Sequence, residues 1–218
     1  KFITWGPDDV MTSGPISFTK GGDSLYLIDS RNANAGRLTK TEIAGKDFQV
    51  IAEDPQYDVS EVMIHPDRYE VQAVAFTKAR TEWQVLDESI TDDFKALAKL
   101  DAGDYRVRNR DDADKTWLVA FEKDDGPIAY WAYDRETKKG TFLFHHRPVL
   151  NDYELAPMEP ISFKSRDGLT IHGYITYPVG KGKTNLPMVL NVHGGPYYRD
   201  TWGYFPEVQW FANRGYVC

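Results

Sequence analysis

The residues best suited to chemistry are His193-Gly194-Gly195-Pro196, which directly follow the apolar run Pro187-Met188-Val189-Leu190-Asn191-Val192. A glycine pair after a buried strand lets the backbone turn sharply and approach a ligand with no Cβ in the way. A backbone N–H in such a loop can point at a carbonyl oxygen and stabilise the negative charge that develops there during acyl transfer, which makes it an oxyanion hole. A plain strand-to-helix turn uses the same residue types, so the surrounding elements must discriminate. Other candidates lack a suitable setting. Gly22-Asp23-Ser24-Leu25 spells a nucleophile motif, but Ser24 precedes a strand and sits behind the turn Lys20-Gly21-Gly22, whereas such a serine should follow a strand and open a helix. His145 and His146 are neighbours on a strand and face opposite ways, which disfavours joint metal ligation. The run Arg110-Asp111-Asp112-Ala113-Asp114-Lys115 lacks the alternation, central glycine and terminal glutamate of a calcium loop and reads as a solvated turn. The single cysteine, Cys218, excludes an internal disulfide and a thiolate metal site. No metal site and no organic cofactor is implied.

The elements ahead of this loop read as short strands. Ser24–Asp29, Gln72–Thr77, Thr116–Phe121 and Ile128–Tyr133 are β-rich runs separated by turns of Gly, Asp, Asn and Pro. Phe18, Ile64 and Phe121 serve as equivalent anchors of a weak repeat, spaced 46 and 57 residues apart. A four-stranded propeller blade takes roughly 40–50 residues. The longer interval is ascribed to a helix inserted between Asp87 and Gly103, with Ile90, Phe94, Leu97 and Leu100 at helical spacing, Thr91 as its cap and Gly103 at its end. A β-sandwich would use similar turn chemistry; the repeat favours propeller blades.

The character changes near residue 150, where Pro148, Pro157 and Pro160 bracket a linker. Residues 161–165 and 169–175 read as a hairpin around Arg166-Asp167-Gly168, with Asp-Gly supplying positive φ. The run 187–192 reads as a strand buried on both faces. A helix carrying Phe205, Val208, Trp210 and Phe211 follows, closed by Gly215, and a further strand begins at Tyr216. A hairpin followed by strand–helix–strand opens an α/β domain. The expected organisation is therefore β-propeller blades (all-β) over 1–150, a linker over 151–160, and the N-terminal part of an α/β-hydrolase domain over 161–218, truncated at its C-terminus.

The stretch from Pro160 to Cys218, PISFKSRDGLTIHGYITYP and then LPMVLNVHGGPYYRDTWGYFPEVQWFANRGYVC, resembles the start of the catalytic domain of the prolyl oligopeptidase family of serine peptidases. Its His-Gly-Gly-Pro form is most similar to the acylaminoacyl peptidase and dipeptidyl aminopeptidase branch. The resemblance implies a propeller ahead of an α/β-hydrolase domain. It also implies an oxyanion N–H on Gly195, with Gly194 shaping the turn and His193 and Pro196 supporting the loop. The family's nucleophilic serine, in a G-x-S-x-G elbow, and its Asp and His follow later in the chain; no G-x-S-x-G occurs in these 218 residues, so this chain alone is expected to be inactive. Tyr197, Tyr198 and Trp202, with Tyr204, are candidates for lining the substrate entrance, and packing between propeller and hydrolase suits them equally.

The implied activity of the whole protein is hydrolysis of short peptides through an acyl-enzyme. Esterase action on the same scaffold and an inert propeller interaction protein are the alternatives. Composition limits the partners: 26 basic against 33 acidic residues give a net charge of −7, and no stretch concentrates Lys and Arg as a nucleic-acid groove would. Short peptides are the expected partners, with no nucleic acid and no membrane, while homo-oligomer formation stays open. The compartment is unknown, with cytoplasmic and periplasmic or secreted locations equally open. Uncovered blade edges and half a sheet predict poor solubility for residues 1–218 alone.

Overall fold

A computed structural model describes residues 2–44, 47–195 and 197–218. The chain divides into two compact units, Lys1–Phe94 and Lys95–Cys218.

The first unit opens with an antiparallel meander of β1 (Gly14–Phe18), β2 (Ser24–Asp29), β3 (Arg37–Glu42) and β4 (Phe48–Ala52), hydrogen-bonded in that order. A three-stranded meander follows: β5 (Val59–Ile64), β6 (Val71–Thr77) and β7 (Thr81–Val85). Tyr26, Leu38 and Ala52 from one sheet and Val59, Val74 and Phe76 from the other form a shared core. The central strand β6 is buried continuously from Gln72 to Phe76, because it is paired on both edges and covered on both faces. A single 3-10 turn, Glu88–Ile90, then leads into α1 (Thr91–Leu100). The cap is Asp87, whose carboxylate accepts from the Ser89 N–H at 2.9 Å; Thr91, expected to cap, is the first residue of α1. Starting the helix one 3-10 turn earlier moves the orphan N–H groups back to Asp87.

The second unit contains the four-stranded meander β8 (Asp104–Arg110), β9 (Thr116–Glu122), β10 (Ile128–Asp134) and β11 (Lys139–His146). First strands begin at Gly14, Val59 and Asp104, so the meanders recur every 45 residues. This corrects the anchor assignment. Phe18 and Ile64 end first strands, but Phe121 lies on β9, a second strand, and the apparent 57-residue interval contains that one-strand slip. The helix α1 is no insertion: in chain order it occupies the place of a fourth strand after β7.

α1 ends at Leu100, three residues before the expected Gly103, which has φ +104° and where a Cβ would lie 2.1 Å from the Glu122 carbonyl oxygen. Only glycine meets both demands. The turn Asp111–Lys115 is not solvated throughout, as had been expected. Asp114 is buried and accepts from the Trp117 indole at 2.7 Å and from Arg135 at 2.6 Å. Its carboxylate satisfies a fully buried tryptophan N–H, which would otherwise be an unpaired donor.

Beyond the 3-10 turn Pro148–Asp152, β12 (Met158–Lys164) and β13 (Thr170–Thr176) pair as a hairpin. Among its turn residues only Gly168 has positive φ, at 88°, and Gly168 N–H donates to Ser165 O at 3.0 Å. This is a three-residue loop closed by a left-handed glycine, in place of the expected Asp-Gly pair at positive φ. The helix α2 (Pro206–Asn213) ends as read from the sequence: Gly215 has φ +88°, and its N–H donates to Ala212 O at 3.0 Å.

The run 187–192 is corrected. It makes one parallel bridge, Met188 with Val217, and Met188, Leu190 and Val192 are 66%, 78% and 71% exposed. A strand is buried on both faces only where neighbours pair with and cover it, and here residues 217–218 provide the pairing. Val217 N–H donates to Pro187 O at 2.9 Å and Val189 N–H to Val217 O at 2.8 Å. On its other side this last stretch exchanges two bonds with Thr176, at 2.9 and 3.0 Å. Residues 217–218 thus lie between the end of β13 and residues 187–189.

Candidate active site

Among its described residues the segment from 189 to 205 carries no strand or helix, and it connects the bridge at Met188 to α2. His193, Gly194 and Gly195 stand at its start, just past the carboxyl end of the bridged residues. Neither glycine has positive φ. Gly194 has open space where a Cβ would be, whereas a Cβ on Gly195 would lie 3.1 Å from Tyr197 N, so the close approach is made by Gly195. His193 Nδ1 is 2.7 Å from the Gly194 carbonyl oxygen and donates there in the tautomer protonated at Nδ1. Its ring meets Tyr198 edge-on at 5.8 Å. Pro196 lies outside the described residues.

Side chains hold both ends of the segment. At the upstream end Asn191 donates to Glu207 at 3.2 Å. Downstream, the Trp202 indole donates to Met158 O at 3.0 Å. Burial raises the Tyr174 phenol on β13 above the usual tyrosine value, with the neighbouring Arg199 and Trp202 opposing the shift. The Cys218 thiol is likewise raised, by burial first and then by Glu207 and Asp200, which suppresses thiolate formation.

The expected binding aromatics separate. Trp202 is half-buried and lines a cleft of about 270 Å³, shared with Tyr204, Phe205, Pro127, Ile128 and Arg147. Tyr197 and Tyr198 are 77% and 67% exposed and do not line it. On α2 the packed residues are Gln209 and Ala212, whereas Trp210 faces outward beneath the Arg214 guanidinium at 3.9 Å.

Gln209 was missed in the sequence. Its amide donates to Ala156 O at 2.7 Å and Asp124 O at 3.1 Å, and its carbonyl accepts from Ala156 N–H at 2.9 Å. Asp124 in turn accepts from Met158 N–H at 2.6 Å. Together they tie the β9–β10 turn, the segment entering β12 and α2 into one body. The available signal was a polar residue among Phe205, Val208, Phe211 and Ala212 on an otherwise apolar helix face. Among the described residues no group of three or more His, Cys, Asp or Glu is arranged to hold a metal ion. No described helix is long and apolar enough to cross a membrane.

No family model matches the chain. It is 38% identical over 217 residues to dipeptidyl aminopeptidase BIII of Pseudoxanthomonas mexicana, covering 96% of this chain and 32% of that protein. It is 27% identical over 232 residues to dipeptidyl peptidase family member 6 of Caenorhabditis elegans, covering 96% and 31%. The fold is that of Porphyromonas gingivalis dipeptidyl peptidase 4, with TM-score 0.64, 16% identity and coverage of 96% and 30%. Prolyl oligopeptidase B of Galerina marginata is similar, with TM-score 0.65, 14% identity and coverage of 94% and 29%. These relatives and solved structures are peptidases of the prolyl oligopeptidase and dipeptidyl peptidase kind, consistent with the resemblance read from the sequence. The chain spans about a third of the length of these relatives.

Proposed function

We propose that the full-length protein is a serine peptidase that hydrolyses short peptides, including removal of N-terminal dipeptides, through an acyl-enzyme. Residues 1–150 are its propeller blades, 151–160 a linker and 161–218 the opening of its α/β-hydrolase domain. Gly195 N–H contributes to the oxyanion hole, with Gly194, His193 and Pro196 forming the loop around it. The nucleophilic serine, the aspartate and the histidine base come from residues outside these 218, so this chain alone hydrolyses nothing.

The observation that carries the reading is the crossover from residues 187–189 through the 193–195 loop and α2 to a parallel partner at Val217. Parallel neighbours require such a crossover, and in open α/β sheets ligands bind beyond the carboxyl ends of the strands, where His193-Gly194-Gly195 stand. Kinship to a dipeptidyl aminopeptidase supports the substrate class. Trp202 at the cleft suits an apolar substrate side chain, whereas the exposed Tyr197 and Tyr198 are available for contact with a bound peptide.

The test is fluorophosphonate labelling of the full-length protein, followed by turnover of dipeptidyl anilides and short-chain esters. Labelling at a serine in a G-x-S-x-G elbow, abolished by Ser→Ala, with preference for the anilides, is the expected result. Preference for esters would replace the peptidase with an esterase. No labelling would leave a propeller-bearing interaction protein.

A further inference from the structure

We propose that Trp202 is a positioning residue for the oxyanion loop, held through Met158 by Asp124: its indole N–H fixes the downstream end of segment 189–205 to the outer edge of β12. The inference rests on the oxyanion role assigned above to Gly195.

An oxyanion donor works when its N–H lies about 2.7–3.1 Å from the developing charge, and a misplacement of about 1 Å costs roughly a hundredfold in rate. Gly195 lies in a stretch with no strand or helix among its described residues, so its position depends on how the two ends are tied. The upstream end is tied by the Met188–Val217 bridge and by Asn191 to Glu207 at 3.2 Å. Contacts inside the stretch, His193 with Gly194 O and His193 with Tyr198, move with it. Downstream, the Trp202 indole donates to Met158 O at 3.0 Å, a partner 44 residues away in the chain.

The register of the hairpin explains why that carbonyl is available. Met158 pairs with Thr176, whose N–H and C=O both bond to Cys218, at 2.9 and 3.0 Å. Residues of such an antiparallel pair turn their N–H and C=O groups away from each other's strand, so Met158 presents both groups on the outer edge of β12. Among the described residues no strand pairs with that edge. Two side chains take its place. Asp124, buried in the β9–β10 turn, accepts from the Met158 N–H at 2.6 Å, and Trp202 donates to the C=O. Asp124 is itself held, because Gln209 on α2 donates to its carbonyl oxygen at 3.1 Å. The clamp thus satisfies two main-chain groups and anchors the loop to a fixed point. Trp202 also lines the cleft beside Ile128 and Phe205, whereas Asp124 does not line it. That difference separates positioning from substrate contact.

In the full-length protein Trp202→Phe removes the donor and keeps an aromatic ring. It is expected to lower kcat for a dipeptidyl anilide by roughly 10- to 100-fold. Asp124→Ala should also lower kcat, with KM changed less than about threefold, because lost alignment matters only in the transition state. Asp124→Asn keeps an acceptor oxygen for Met158 N–H and should recover most of that loss. Since both residues act through Met158, the double variant Trp202→Phe/Asp124→Ala should lose little more than the worse single variant. Hydrogen exchange across residues 197–205 should accelerate in Trp202→Phe. Trp210→Phe is the control: Trp210 faces outward on α2, and neither kcat nor exchange should move. Unchanged exchange or wild-type kcat in Trp202→Phe would overturn the proposal. A change confined to KM would do the same, as would losses that multiply fully in the double variant. A wild-type protein that fails to label with fluorophosphonate would refute the peptidase reading instead, and exchange across 197–205 would then alone decide whether Trp202 is a tether.

Discussion

Gln209→Leu tests whether one buried amide binds the β9–β10 turn, the segment entering β12 and α2 into a single unit. The wild-type side chain is 8% exposed and makes three hydrogen bonds to main-chain groups at 2.7, 2.9 and 3.1 Å. Leucine fills a similar volume and leaves Ala156 N–H, Ala156 O and Asp124 O without their partner. At about 1 kcal/mol net for each bond, the loss is about 3 kcal/mol, or roughly a hundredfold in the local opening equilibrium. Native-state hydrogen exchange in the full-length protein reads this directly, because Ala156 N–H is itself one of the three groups. Its exchange should speed up by roughly a hundredfold. Met158 N–H, bonded to Asp124, should follow if the unit opens together. Gln209→Glu sharpens the test. Its second carboxylate oxygen would face two carbonyl oxygens, so the neutral acid is favoured in the folded state and the carboxyl pKa rises on folding. The folded state of that variant is therefore favoured below about pH 4, and this advantage is lost as pH rises through the elevated value. Less than about a threefold change at Ala156 in Gln209→Leu would refute the clamp, as would pH-independent exchange in Gln209→Glu.

Two further outcomes are expected. The Asp87 carboxyl is held down to about 2: burial opposes this, but Gln72, the Ser89 N–H and Arg68 outweigh it. Its folded pKa is depressed, so its contribution is present above about pH 4 and lost as pH falls toward 2. Asp87→Asn should lower the urea midpoint at pH 7 by an amount equivalent to roughly 1–3 kcal/mol. The gap from wild type should close between pH 4 and 2, and a gap that persists at pH 2 would contradict the assignment. Gly103→Ala places a Cβ 2.1 Å from Glu122 O at φ +104°. It should destabilise the second unit by roughly 2 kcal/mol or more, read as a lower melting temperature by circular dichroism.

Local signals carried most of the fold. The strands around Leu25–Leu27, Ala73–Phe76, Trp117–Phe121 and Ala129–Tyr133 were legible because each is a short apolar run bounded by turn residues, and strand pairing in a meander adds little beyond chain order. The end of α2 was legible because a left-handed glycine after a helix is a local requirement. The His193-Gly194-Gly195-Pro196 loop stood out for the same reason, since the residue types proposed for an oxyanion hole are consecutive there. What escaped was long-range. The 45-residue period was hidden because Phe121 resembles Phe18 in type while lying on a different strand of its sheet, and only pairing reveals strand rank. The apolarity of 187–192 suggested a strand buried on both faces, but the run makes one bridge and stays exposed, because pairing and burial depend on which neighbours meet it. Gln209 looked like an interruption of an apolar face until its partners, 53 and 85 residues away in the chain, were brought to it. The sequence by itself determined which segments form strands, helices and turns, because those follow from backbone propensity and side-chain period within a few residues. Tertiary structure alone decided which polar groups are buried and what satisfies them, because a buried donor or acceptor is paired by whatever the fold carries to it.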